Sequence, residues 1–197
     1  MSERTDFMKR TDHCGDLRLD DIGREVVVNG WVHRRRDHGG LVFIDLRDRS
    51  GLVQVVFDPE IGNEAWQKAN DVRGEYVLAV EGKVRERPED TANPNLATGD
   101  VEIVAVTMEV LSEAKTPPFS ITENEEVDDL VRMRYRYLDL RSARMQHNLQ
   151  LRHMAAQAAR NFLTEQGFCE VETPVLFRPT PEGARDYLVP SRVSPGN

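Results

Sequence analysis

The sequence predicts a β domain followed by the start of an α/β domain: a five-stranded barrel, a linker, then a long helix running into a strand. Three observations carry this. Between residues 25 and 111, five short runs alternate apolar and polar side chains, the two-residue period of strands with one buried face. Between the third and fourth runs, Ile61, Ala65, Ala69 and Val72 recur at helical spacing. From Ser142 to Gln166 apolar residues again recur at helical spacing, and a glycine follows.

The first strand, Glu25–Arg36, carries Val26, Val27, Val28, Trp31 and Val32. Leu41–Leu46 and Leu52–Phe57 follow, joined by Arg47–Gly51, a polar turn ending in glycine. A helix is expected over Ile61–Val72. Two more strands, Glu75–Arg87 and Asp100–Leu111, are connected by Pro88–Gly99, a loop rich in Pro, Asn and Gly. Five strands with a helix between the third and fourth match the Greek-key barrel of the OB-fold. Alternation assigns the faces. In the second strand Val42, Ile44 and Leu46 point one way, and Leu41, Phe43 and Asp45 the other. In the third, Val53, Val55 and Phe57 are expected inward, with Leu52, Gln54 and Val56 outward. Phe43 and Gln54 are then neighbours on the outer face of the strands with which OB-folds hold single-stranded nucleic acid. Phe43 either stacks a base there or packs beneath a loop.

Residues 112–141 read as a linker: Pro117-Pro118, an acidic run with no assigned role beyond solvation, then Asp129–Arg141, a basic helix with an irregular end. Ser142 is a suitable N-cap for the long helix. Its apolar face holds Met145, Leu149, Met154, Ala155, Ala158, Phe162 and Leu163, and Gly167 suits its C-terminus. The expected division is a barrel over 1–111, the linker over 112–141 and the start of a second domain over 142–197.

Composition narrows the function classes. The chain has 197 residues, 39% hydrophobic and 30% charged, as in a charge-rich globular protein. No apolar run approaches the ~20 residues of a membrane span, and Met1–Asp6 lacks an apolar signal segment; a cytoplasmic protein is expected. Cys14 and Cys169 lie far apart, and His13, His33, His38, His147 and His153 supply no matching cluster, so no structural zinc site is expected. Cys169 reads as a small buried thiol. The net charge of -8 argues against a nucleic-acid binder when taken as a sum. Its distribution argues otherwise. Acid is concentrated in Glu123, Glu125, Glu126, Asp128 and Asp129, and base in Arg34, Arg35 and Arg36 and again in Arg132, Arg134, Arg136, Arg141 and Arg144. A locally basic surface on an acidic protein binds a polyanion when shape or base contacts assist.

The C-terminal strings carry a resemblance. Helix, Gly167-Phe-Cys-Glu-Val-Glu-Thr-Pro174, then strand resembles motif 1 of the class II aminoacyl-tRNA synthetases. Tyr135-Arg-Tyr-Leu-Asp-Leu-Arg141 looks like the segment shared by the aspartate, asparagine and lysine members. Thr180-Pro-Glu-Gly-Ala-Arg-Asp-Tyr-Leu-Val-Pro-Ser-Arg192 resembles the bacterial-type aspartyl enzymes, as do Gly30-Trp-Val-His-Arg-Arg-Arg-Asp37 and Phe43-Ile-Asp-Leu-Arg-Asp48. The resemblance runs from about Cys14 to the end. It implies an OB anticodon-binding domain, a hinge, and a catalytic domain on an antiparallel sheet.

The implied reaction is aspartylation of tRNA through aspartyl-adenylate, with ATP and Mg²⁺. The implied partners are aspartate tRNA, L-aspartate and a second copy of the chain in a homodimer. Glu182 matches a loop glutamate that meets the α-ammonium of the amino acid, a natural partner for a carboxylate. Pro174 matches the motif 1 proline at the dimer interface. Phe43 and Gln54 match residues that hold the middle anticodon base, and Arg36, Arg87 and Glu102 match positions near the anticodon bases. Arg34 or Arg35 could equally be the arginine that pairs with a base edge, and the bland alternative is phosphate contact or surface charge. His38 matches the histidine of non-discriminating members, which also charge asparagine tRNA. Asp90 stands where such members often carry glycine, a departure from their pattern. The family's second and third motifs, with their ATP-binding arginines, fall beyond Arg192, so this chain alone is expected to make no adenylate and to hold no catalytic residue or metal. The reading from a different class is a stand-alone module that binds tRNA or dimerises without catalysis.

Overall fold

The computed structural model describes residues 8–121, 127–176 and 189–193. Five strands form where the two-residue period predicts them: β1 (Glu25–His38), β2 (Leu41–Arg47), β3 (Leu52–Phe57), β4 (Val77–Glu86) and β5 (Val101–Ser112), with helix α1 (Asn63–Asp71) between β3 and β4. They close into one sheet in the order β1-β2-β3-β5-β4, with β4 returning to β1. All pairs are antiparallel except β3 with β5. That pair is parallel because α1 and β4 lie between its members and supply the long crossover that parallel strands need.

The inward residues fill the barrel. Val28, Val32, Ile44, Leu46, Leu78 and Ile103 are fully buried, and each such side chain stabilises the fold by about 1.5–3 kcal/mol. Closure also needs a side-chain-free position: a Cβ on Gly82 would stand 2.2 Å from the Val104 carbonyl oxygen across β4–β5.

Strand β1 carries a bulge. Val32 pairs with Leu46, but Arg34 pairs with Asp45, so His33 is the extra residue. The alternation inverts after it. Arg34 and Arg36 stand outward beside Asp45 and Phe43, and Arg35 aligns with the inward-facing Ile44. β1 runs two residues further than expected, to His38. The β1–β2 hairpin then turns on Gly39 and Gly40 alone, both at positive φ (60° and 84°), as a type I′ turn demands.

Three local expectations are corrected. Ile61 precedes α1 and is exposed, because Asp58 caps a turn through its carbonyl and the helix starts only after Gly62. On β3 Gln54 and Val56 face outward but not to solvent, at 7% and 1% exposure. Glu75 is not in β4: it takes the left-handed conformation (φ 66°), costing about 1–3 kcal/mol, and Arg47 grips its carboxylate at 2.9 and 3.0 Å.

Residues ahead of β1 are fastened to the β2–β3 turn by Asp48. Its carboxylate accepts from the Cys14 and Ser50 amides and the Ser50 hydroxyl, and meets His13 Nδ1 at 3.1 Å. Burial alone would raise the Asp48 carboxyl, but these hydrogen bonds hold it below the ordinary carboxylate range. Burial, and then the Asp48 charge, push the Cys14 thiol far up, so it is unreactive.

The chain divides into two units, one ending at Tyr135 and one beginning at Arg136. In the first, Ile121 is buried, and Asp128 accepts from the Leu130 amide to cap α2 (Asp129–Arg134), which gives the acidic stretch one structural role. In the second, the basic segment continues as α3 (Arg136–Asp139), and Ser142 caps α4 (Ala143–Glu165), beyond whose C-cap Gln166 stands Gly167 with φ 84°. The apolar face expected for α4 has nothing to pack on among the described residues: none of its side chains is buried, and Leu149, Met154, Phe162 and Leu163 are exposed. Residues 168–174 form no strand, and Cys169 is exposed rather than buried, for the same reason: a strand and its thiol need a neighbouring strand to cover them.

Candidate nucleic-acid interface

Two rows of residues cross the outer face of the barrel. The pairing register sets Arg36, Phe43, Val56, Val104 and Lys83 side by side on β1, β2, β3, β5 and β4. The next row is Arg34, Asp45, Gln54, Glu102 and Arg85. Phe43 is diagonal to Gln54, the neighbourhood the alternation predicts.

Hydrogen bonds tie these rows into one chain. Arg36 Nη2 donates to Asp45 Oδ1 at 2.7 Å and to Gln54 Oε1 at 3.0 Å. Gln54 Nε2 donates to Glu102 Oε2 at 2.7 Å, and Arg85 Nε donates to Glu102 Oε1 at 2.7 Å. Glu102 is 2% exposed, yet both its oxygens are bound and the Arg85 guanidinium compensates its charge. Such a chain fixes the amide orientation of Gln54 and removes rotamer freedom before any ligand arrives.

Arg87, one residue past β4, adds an unfilled donor. It is 6% exposed; its Nε donates to the Val101 carbonyl at 3.0 Å, but Nη2 is buried without any hydrogen-bond partner. Burial pulls the guanidinium down from its usual value, against the opposing charges of Glu102 and Asp45. An unmade bond of this kind costs about 1–3 kcal/mol. A water or a ligand acceptor can complete it.

Five residues assigned from the sequence therefore lie together: Arg36, Phe43, Gln54, Arg87 and Glu102. Phe43 is half-buried; Arg36, Gln54, Arg87 and Glu102 carry hydrogen-bonding groups held by their neighbours. Arg35 is excluded from this face. It donates from Nε to the Ala69 carbonyl at 2.9 Å, closing the C-terminal end of α1, and pairs with Asp37. Asp45 and Arg85 complete the chain and were not singled out by sequence reasoning, although Arg85 shares the alternation phase of Arg87.

The remaining assigned residues lie elsewhere. His38 is exposed at the hairpin tip, which is held by the Trp66 indole N–H on the Gly40 carbonyl at 2.9 Å. Asp90 is exposed in the β4–β5 connection. Pro174 is exposed in the second unit, and Glu182 lies outside the described residues. Among the described residues no three His, Cys, Asp or Glu side chains are grouped to hold a metal ion, and no helix is long and apolar enough to cross a membrane.

Comparison with known proteins gives two family matches. Residues 26–111 match the family described as OB-fold nucleic acid binding domain. Residues 128–197 match tRNA synthetases class II (D, K and N). The chain is 59% identical over 189 residues to the aspartate–tRNA(Asp/Asn) ligase of Heliobacterium modesticaldum, covering 96% of this chain and 31% of that protein. It is 60% identical over 189 residues to the aspartate–tRNA(Asp/Asn) ligase of Moorella thermoacetica, again covering 96% and 31%. Among solved structures it resembles the asparaginyl-tRNA synthetase of Pyrococcus horikoshii complexed with asparaginyl-adenylate, with a TM-score of 0.73, 25% identity, and coverage of 86% of this chain and 37% of that one. The chain spans about a third of the length of the curated relatives it matches.

Proposed function

We propose that this chain, whose residues 128–197 match tRNA synthetases class II (D, K and N), supplies the anticodon-reading part of an aspartate–tRNA ligase that serves both aspartate and asparagine tRNAs. The observation that carries this reading is the hydrogen-bonded chain from Asp45 to Arg85, lying beside the half-buried Phe43 and the unfilled Arg87 Nη2. Fixed donors and acceptors read base edges, and an aromatic face stacks a base. In this reading Phe43 and Gln54 hold the middle anticodon base, and Arg36, Arg87 and Glu102 contact the bases around it.

The whole reaction joins aspartate to ATP as an adenylate and passes the aspartyl group to the tRNA. ATP with Mg²⁺ supplies the activated phosphate for that chemistry. No step of adenylate formation is assigned to the described residues. Glu182 is the residue of this chain that would meet the amino-acid ammonium. Relaxed tRNA choice is supported by His38, which stands exposed at the end of the reading strand, and by the Asp/Asn names of the relatives. Assembly through Pro174 and the exposed apolar residues of α4 would join two copies.

The test is binding of the chain to RNA hairpins carrying the aspartate anticodon, the asparagine anticodon, and a changed middle base. The first two should bind, and the third at least tenfold more weakly. Phe43→Ala should weaken binding by about 1–3 kcal/mol. Equal affinity for all three hairpins would sink the reading.

A further inference from the structure

The cations of the outer face are not equivalent. Arg36 and Arg85 are committed to Asp45, Gln54 and Glu102, Arg47 is committed to Glu75, Arg35 to α1, and Arg87 is buried. Two others are exposed and have no hydrogen bond or ion pair among the described residues: Arg34 on β1 and Lys83 on β4. They end the two rows on opposite sides. Arg34 begins the row through Asp45, Gln54 and Glu102, and Lys83 ends the row through Phe43, Val56 and Val104. The walk from β1 to β4 through β2, β3 and β5 is four strand spacings, about 19 Å.

Charge decides what these two meet. The centre of the face is occupied by side chains already bonded to one another and its uncommitted charge lies at the edges, so an RNA strand lying here turns its bases to the centre and its phosphates to the edges. A fixed donor is suited to a base edge. A solvated, unrestrained cation contributes chiefly charge, which is what a phosphate requires. Asp45, across the ladder from Arg34, is already bonded to Arg36, and Glu25, opposite Lys83 across β1–β4, makes no ion pair with it.

We propose that Arg34 and Lys83 are phosphate contacts that rail the bound RNA strand on either side of the base-reading centre. This rests on the reading of the barrel face as an anticodon site, and the experiment separates the two. Affinity of the chain for the cognate anticodon hairpin is measured across a series of salt concentrations, for the unsubstituted chain, Arg34→Gln, Lys83→Gln, the double variant, and Lys68→Gln. Lys68 is a control cation on α1, paired with Glu64 at 2.7 Å. Each rail variant should lower the slope of log affinity against log salt by about 0.7, and the double variant by about twice that. The preference among anticodons should be unchanged, and Lys68→Gln should keep the full slope. Unchanged slopes in both single variants overturn the proposal, as does a slope change that Lys68→Gln reproduces. A lost anticodon preference in Arg34→Gln also overturns it, since Arg34 would then read a base. If the unsubstituted chain binds no hairpin, the anticodon reading falls and this proposal with it.

Discussion

Arg87 leaves the fold one unmade hydrogen bond, and in the proposed reading that donor meets the RNA. Its Nη2 is buried with no partner, while its Nε holds the Val101 carbonyl. Arg87→Met should therefore change the melting temperature little, because the lost bond is offset by removal of an orphaned donor. Hairpin affinity should fall about tenfold or more, since a fixed guanidinium contact contributes about 1–3 kcal/mol. A large drop in melting temperature without loss of binding would make Arg87 structural. His38 gives a second test at this scale. It is exposed at the hairpin tip, so His38→Leu should leave the fold intact and lower the ratio of asparagine to aspartate hairpin binding. An unchanged ratio removes His38 from tRNA choice.

At the scale of elements, polar groups help fasten the N-terminal segment and α1 to the strands: Asp48 accepts from the Cys14 amide, and Arg35 Nε donates to the Ala69 carbonyl. Asp48 fastens the segment through depressed-pKa hydrogen bonds. A carboxyl whose folded pKa is lowered stabilises the protein above its unfolded value, and that contribution disappears as pH falls through the folded one. Asp48→Asn should thus melt lower than the parent at neutral pH, by about 1–3 kcal/mol. The gap should narrow as pH drops below about 4. A gap independent of pH would show that charge on Asp48 is irrelevant. The elements themselves were largely legible. Strand phases from Val42, Ile44 and Leu46 and the Ser142 cap were readable because alternation and capping are local. The start of α1 was not, since Ile61 fits the helical period and only the Asp58 turn excludes it.

For the whole molecule, burial is uneven. The five strands share a closed core, whereas α4 buries none of its residues within the described chain. Helices without tertiary packing are marginal in water. In hydrogen exchange, amides of Val28, Val55, Val80 and Ile103 should be the slowest, at any protein concentration. Amides of α4 should exchange quickly in dilute protein and slow as concentration rises, as assembly of two copies covers the helix. Concentration-independent exchange across α4 would argue against assembly through it.

The sequence by itself determined the five strands, the intervening helix, the position of α4, and the residue types of the outer face, because each follows from periodicity, capping or a contiguous string. Tertiary structure alone decided how those residues divide their work. The bulge at His33 inverts the phase of β1, so Arg34 and Arg36 face outward and Arg35 locks α1; three identical neighbours carry no such signal. Closure of the sheet then brings Glu102 on β5 against Gln54 on β3, forty-eight positions away, and leaves Arg87 with an open donor. Contacts of that range depend on register and barrel closure, which no local pattern encodes.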